Sequence, residues 1–170
     1  TSLPAKLPDG YDRWILESGA VRQIGVGGRP AVQLELTLNR DGLRAYLYVQ
    51  AYPRTSVLRQ WVEFENATAS PRILASPTSL SLSLRSQETS DMTHYWMCGG
   101  TSRPNQGQLE SAQINDTYHR TLLGDRTDNY VPWMALTRNM PDKPGGGLFV
   151  ALDHLGTWTL GFDRAAGHAV

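Results

Sequence analysis

Apolar and polar residues take turns along most of this chain, and the two-residue period is that of a half-buried β-strand. Leu148, Val150 and Leu152 alternate with Phe149, Ala151 and Asp153, and after a break at 153–156 Trp158, Leu160 and Phe162 alternate with Thr157, Thr159, Gly161 and Asp163. The two runs read as a β-hairpin, because a loop of about four residues with Asp153 and Gly156 at its ends suits antiparallel neighbours. Val32, Leu34, Leu36 and Leu38 alternate with Gln33, Glu35 and Thr37; Asp41-Gly42 turns the chain, and Leu43, Ala45, Leu47 and Val49 return on the same face. Asp-Gly between alternating runs is a strong hairpin signal.

Further strands follow from the same pattern. One lies around Trp14 to Glu17, ahead of a glycine-rich loop at Gly25 to Pro30. That loop has neither the full glycine spacing nor the following helix of a phosphate cradle, so it reads as a structural turn. Val57 to Asn66 is a strand with Leu58, Val62 and Phe64 on one face and Arg59, Trp61, Glu63 and Glu65 on the other. After the turn at 66–71, Ile73-Leu74 resumes an apolar strand, and Leu80, Leu82 and Leu84 alternate with Ser79, Ser81 and Ser83 to make another. His94 to Cys98 is a short aromatic strand, Gln108 to Ile114 and Thr117 to Leu122 are weaker candidates, and Tyr130 to Thr137 is one more. Apolar residues nowhere recur at helical spacing over a helix's length. The expected fold is all-β, an antiparallel β-sandwich of two large packed sheets in a single domain spanning 1–170.

Composition narrows what such a domain can bind. Lys+Arg 16 balance Asp+Glu 16 and neither sign forms a run, which removes the footprint expected of a nucleic-acid binder or a polybasic membrane anchor. No apolar stretch approaches the roughly 18 residues of a membrane-spanning helix. One cysteine, Cys98, excludes an internal disulfide and any cysteine-rich zinc site, and reads as a small buried hydrophobe. The four histidines show no metal-ligand spacing. No cofactor or metal is expected, and the cellular location is left open; the triplets Asn66-Ala-Thr68 and Asn115-Asp-Thr117 arise too readily by chance to decide it.

Two stretches carry a family resemblance. Trp61-Val-Glu-Phe-Glu-Asn66, a short turn, then Arg72-Ile-Leu74 and Ser79-Leu-Ser-Leu82 resemble the strand–turn–strand of the amino-terminal β-sandwich of melibiase-type α-galactosidases. Pro132-Trp-Met-Ala-Leu136, followed by the run from Gly147 to Trp158, is similar to a later part of the same domain. The resemblance runs with gaps from about Ser56 to Asp163. It implies a supersandwich, the galactose-mutarotase-like fold, in a module of a larger carbohydrate-active enzyme whose catalytic (β/α)-barrel lies elsewhere. A barrel of about 250 residues does not fit beside a sandwich in this chain, so the resemblance transfers no catalytic residue.

Among possible chemistries, sugar binding suits the composition best. Pyranose C–H faces pack on aromatic planes while hydroxyls seek directed polar groups. The candidate residues are Tyr95, Trp96, Trp133 and Trp158, with Arg103, Asn105 and Asn129 as loop polars, and the neighbouring pair Tyr46 and Tyr48, for which cross-strand packing is the competing reading. Tyr95 and Trp96 alternate, so only one of them can face the core. Glu63 and Glu65 share a strand face but read as charge partners of Arg59 rather than as a glycosidase pair, and His94, His119 and His154 read as structural or surface residues. The expected function is a non-catalytic carbohydrate-binding or ancillary domain of a glycoside hydrolase. Its partners would be an oligo- or polysaccharide, galactose-containing ones included, and a catalytic barrel or neighbouring subunit. The alternatives are an aldose-epimerase-like enzyme on the same fold and a purely structural domain mediating subunit or barrel contacts.

Overall fold

A computed structural model describes residues 14–74, 77–82, 92–99, 107–115, 118–124, 130–138, 146–153 and 156–163. Every regular element among them is a strand, every pairing is antiparallel, and none of them forms a helix that could cross a membrane. The chain divides into two compact units, 1–83 and 84–170.

The first unit is a four-stranded meander of β1 (Ile15–Val26), β2 (Arg29–Arg40), β3 (Leu43–Ala51) and β4 (Leu58–Asn66) in sequence order. Its first two turns contain two residues each. Gly27-Gly28 joins Val26 to its partner Arg29, and Asp41-Gly42 joins Arg40 to Leu43, with positive φ at all four central residues. That conformation matches the right-handed twist of the flanking strands, and glycine or aspartate reaches it at little cost. The glycine-rich loop is thus a turn, as expected, though shorter than the 25–30 span suggested. β1 is also longer than its alternation implied, because the register slips between Leu16 and Ser18 and shifts the phase of the pattern.

Register places Leu16, Leu38, Ala45 and Phe64 in one row across the sheet, with Leu36, Leu47 and Val62 in the next, Val21, Leu34 and Val49 in a third, and Val32, Ala51 and Leu58 in a fourth. These rows form one apolar face. The opposite face carries Glu35, Thr37, Tyr46, Tyr48, Trp61, Glu63 and Glu65. The strands expected at Ile73-Leu74 and from Ser79 do not form over the described residues. Residues 71–74 and 77–82 are irregular, Ile73 is 97% exposed, and the Ser79 carbonyl accepts from the Gln60 side chain (2.6 Å). Pro71 and Pro77 each open one of the two stretches and lack the N–H a ladder needs. Leu84 lies outside the described residues.

The second unit is a sandwich. A four-stranded sheet in the order β6 (Leu109–Gln113), β5 (Met92–Cys98), β8 (Tyr130–Arg138), β9 (Gly147–Ala151) faces a two-stranded sheet of β7 (His119–Gly124) and β10 (Trp158–Asp163). Trp96 and Met134 from the first sheet meet Leu122, Trp158 and Leu160 from the second, with Val150, Leu152 and Phe162 packed around them.

The hairpin expected at 147–163 is therefore replaced by a crossing between sheets. β9 pairs with β8 from Thr137↔Gly147 to Trp133↔Ala151, and β10 pairs with β7 from Trp158↔Gly124 to Asp163↔His119. In a hairpin both apolar stripes would share one face and still need a cover. Placed on opposite sides of one core, they cover each other.

Candidate carbohydrate-binding face

Alternation sorts the aromatic candidates of the second unit to opposite sides of its larger sheet. In β5, His94, Trp96 and Cys98 are buried while Tyr95 and Met97 are half-buried, and in β8 Met134 and Leu136 are buried while Trp133, Ala135 and Thr137 are half-buried. Trp96 is 4% exposed and Trp158 9%. The Trp96 Nε1 donates to Glu110 Oε2 (2.7 Å), and the Arg120 guanidinium lies 3.7 Å from the ring centroid. The Trp158 indole rests on Gly124, its cross-strand partner, where any side chain would collide with the ring. Protein atoms thus pack both tryptophans into the core.

Tyr95 and Trp133 share the outward face. Ala135 lies between Tyr95 on β5 and Phe149 on β9 in one row, and Trp133 stands two residues along β8 opposite Ala151. Trp133 and Phe149 flank Ala135 in a shallow open groove of about 370 Å³ lined also by Thr137 and Gly147, with Leu136 and Leu148 completing it. Phe149 is 58% exposed. The sequence reading passed over it, although its place out of phase with Leu148 and Val150 already put it on the outer side.

In the first unit, Tyr46 and Tyr48 do sit side by side, but their contacts run across the strands. Tyr48 stacks on Trp61 with ring centroids 4.8 Å apart and an interplanar angle of 14°. The Tyr46 hydroxyl donates to Glu65, and that bond, ahead of burial, raises its pKa. Glu65 lies 3.7 Å from Arg44, Glu63 accepts from Trp61 Nε1 (3.0 Å), and Arg59 lies 5.6 Å from the Trp61 ring centroid. The two carboxylates thus have Arg44, Tyr46 and Trp61 as partners. Arg103, Asn105, Asn129 and His154 lie outside the described residues.

The remaining polar clusters are narrower in reach. His94 is fully buried, its Nδ1 is 2.7 Å from the Tyr118 hydroxyl, and its Nε2 has no hydrogen-bond partner among the described residues. Burial, then the charge of Arg120, lowers its pKa to about 4, so the ring is neutral at pH 7. His119 pairs with Asp163 across β7 and β10 with Thr121 3.2 Å from its Nε2, on an exposed face where solvent screens the pair. Among the described residues no group of three or more His, Cys, Asp or Glu could hold a metal ion. No protein-family model and no curated protein sequence matches the chain.

Proposed function

We propose that the chain is a non-catalytic carbohydrate-binding module, ancillary to a glycoside hydrolase of the α-galactosidase kind, and that it holds sugar on the outer face of the second unit. The supporting observation is that Trp133 and Phe149 line one open groove beside Ala135, with Tyr95 on the same face of the sheet. Aromatic planes beside a small residue give a pyranose C–H face something flat to displace water from. The groove's size lies at the lower end of small-ligand sites, about 300–1,000 Å³. The parent-enzyme assignment rests on the sequence resemblance.

Affinity electrophoresis of the intact chain through gels containing galactomannan, xyloglucan or amylose tests this. A retarded band that Trp133→Ala releases, with an unchanged melting temperature, supports it. Trp96→Ala should instead destabilise the fold by about 3–5 kcal/mol, as expected for a large aromatic removed from a core. Absence of retardation in every gel would refute the proposal.

A second reading, a structural domain that docks on a catalytic barrel or neighbouring subunit, is favoured by the apolar face of the first unit. Leu16, Val21, Val32, Leu58 and Phe64 are exposed there, on a sheet whose apolar side needs a cover. Sizing at rising concentration checks it: the docking reading calls for association that Val21→Glu and Leu58→Glu abolish.

A further inference from the structure

We infer that His94 is an acid-sensitive latch between the two sheets of the second unit, and that its protonation releases β7 and β10 from the larger sheet while the first unit stays folded; this goes beyond the carbohydrate reading and does not depend on it. The ring belongs to β5, yet three of the groups around it come from the other side of the core. Tyr118, which leads into β7, meets it edge-on with centroids 5.7 Å apart, Phe162 on β10 lies at 5.4 Å, and the charge of Arg120 on β7 reaches it. Its own sheet contributes Trp96 at 5.3 Å and the cross-strand partners Ala112 on β6 and Leu136 on β8.

This enclosure suits a neutral ring only. His94 is fully buried, Nδ1 is 2.7 Å from the Tyr118 hydroxyl, and Nε2 has no partner among the described residues. A neutral imidazole has one N–H and one lone pair, so a single hydroxyl serves one nitrogen in either tautomer. The imidazolium has two N–H donors and a charge, and an unpaired charged donor costs more in a core than an unpaired neutral one. The neighbouring charges are spoken for or of the wrong sign. Glu110 on β6 accepts from Trp96 Nε1 (2.7 Å) and lies 3.7 Å from Arg120, and Asp163 on β10 pairs with His119 on the outward face. Arg138, two residues beyond Leu136 on the same side of β8, is a second cation.

The cost of the charge falls on the seam. Among the described residues the two sheets share no ladder, so side-chain packing holds β7 and β10 in place, and a two-stranded sheet is at most marginal by itself. The strands β6, β5, β8 and β9 keep their own ladder, and residues 1–83 include no histidine. The enclosed ring takes a proton near pH 4 and the released ring near 6.5, so between those values acid favours release. The open population should rise about twentyfold from pH 7 to pH 5.

Hydrogen exchange of the intact chain at pH 7 and pH 5, read by mass spectrometry and expressed as protection factors, tests the inference. Amides of β7 and β10 should lose protection about twentyfold while those of β2 and β3 hold theirs, and His94→Gln should remove the loss. His119→Gln, which takes away the exposed histidine of β7, should leave the loss in place. A loss shared evenly by both units, no loss in β7 and β10, or a loss that follows His119 instead would overturn the latch. The contrast between units in the unaltered chain decides the matter even if His94→Gln does not fold.

Discussion

At His94, burial and a neighbouring charge act in the same direction. The imidazole is enclosed by Trp96, Tyr118 and Phe162, and Arg120 adds a positive field, so the protonated form is disfavoured in the fold. Its pKa is about 4 folded against 6.5 unperturbed. Between those values the unfolded chain binds a proton that the folded chain refuses, so this contribution to stability is complete above pH 6.5 and falls away as pH drops toward 4. At about 1.4 kcal/mol per pKa unit the loss is on the order of 3 kcal/mol. Urea midpoints should fall between pH 7 and pH 4.5, and His94→Phe should flatten that fall. Little of this was legible in the sequence. Alternation says that one of Tyr95 and Trp96 faces inward; it is Trp96 because Glu110 and Arg120, on other strands, supply its N–H acceptor and its ring partner.

The two-residue turns were the most legible elements, since their chemistry is local. Gly28 and Gly42 have φ of 76° and 81°, but a Cβ at Gly28 meets nothing within 4 Å, whereas one at Gly42 would press on the Thr68 methyl at 2.5 Å. Gly28→Ala should therefore cost about 1 kcal/mol, the backbone penalty alone. Gly42→Ala should add an overpacking cost of about 1–3 kcal/mol. Thermal melts of the two variants check the order, and Thr68→Ser should recover part of the difference in the Gly42→Ala background. Strand partners were less legible than turns. The Leu148–Val150 and Trp158–Leu160 stripes fit a hairpin as well as they fit opposite walls of one core, because a period of two records which side is oily and not which neighbour lies alongside. Residues 79–82 show the same pattern and form no ladder among the described residues.

Taken whole, the chain pairs an all-sequential sheet with a sandwich whose strands are reordered. The all-β antiparallel character followed from the sequence because alternation and turn residues agree throughout, and the lack of any helical period excluded its rivals. The β6-β5-β8-β9 order did not follow, since residues such as Met92 and Arg138, far apart in the chain, become partners. That difference in connectivity has a kinetic consequence. In the first unit each strand finds its mate in the next stretch of chain, while β5 cannot pair with β8 until a long loop has closed, and closing loops slows a search. Stopped-flow refolding should resolve a fast phase sensitive to Gly42→Ala and a slower one sensitive to Gly124→Ala; a single phase that responds equally to both would contradict it. On the ribosome, the meander would already be shaped while the later half is still being translated.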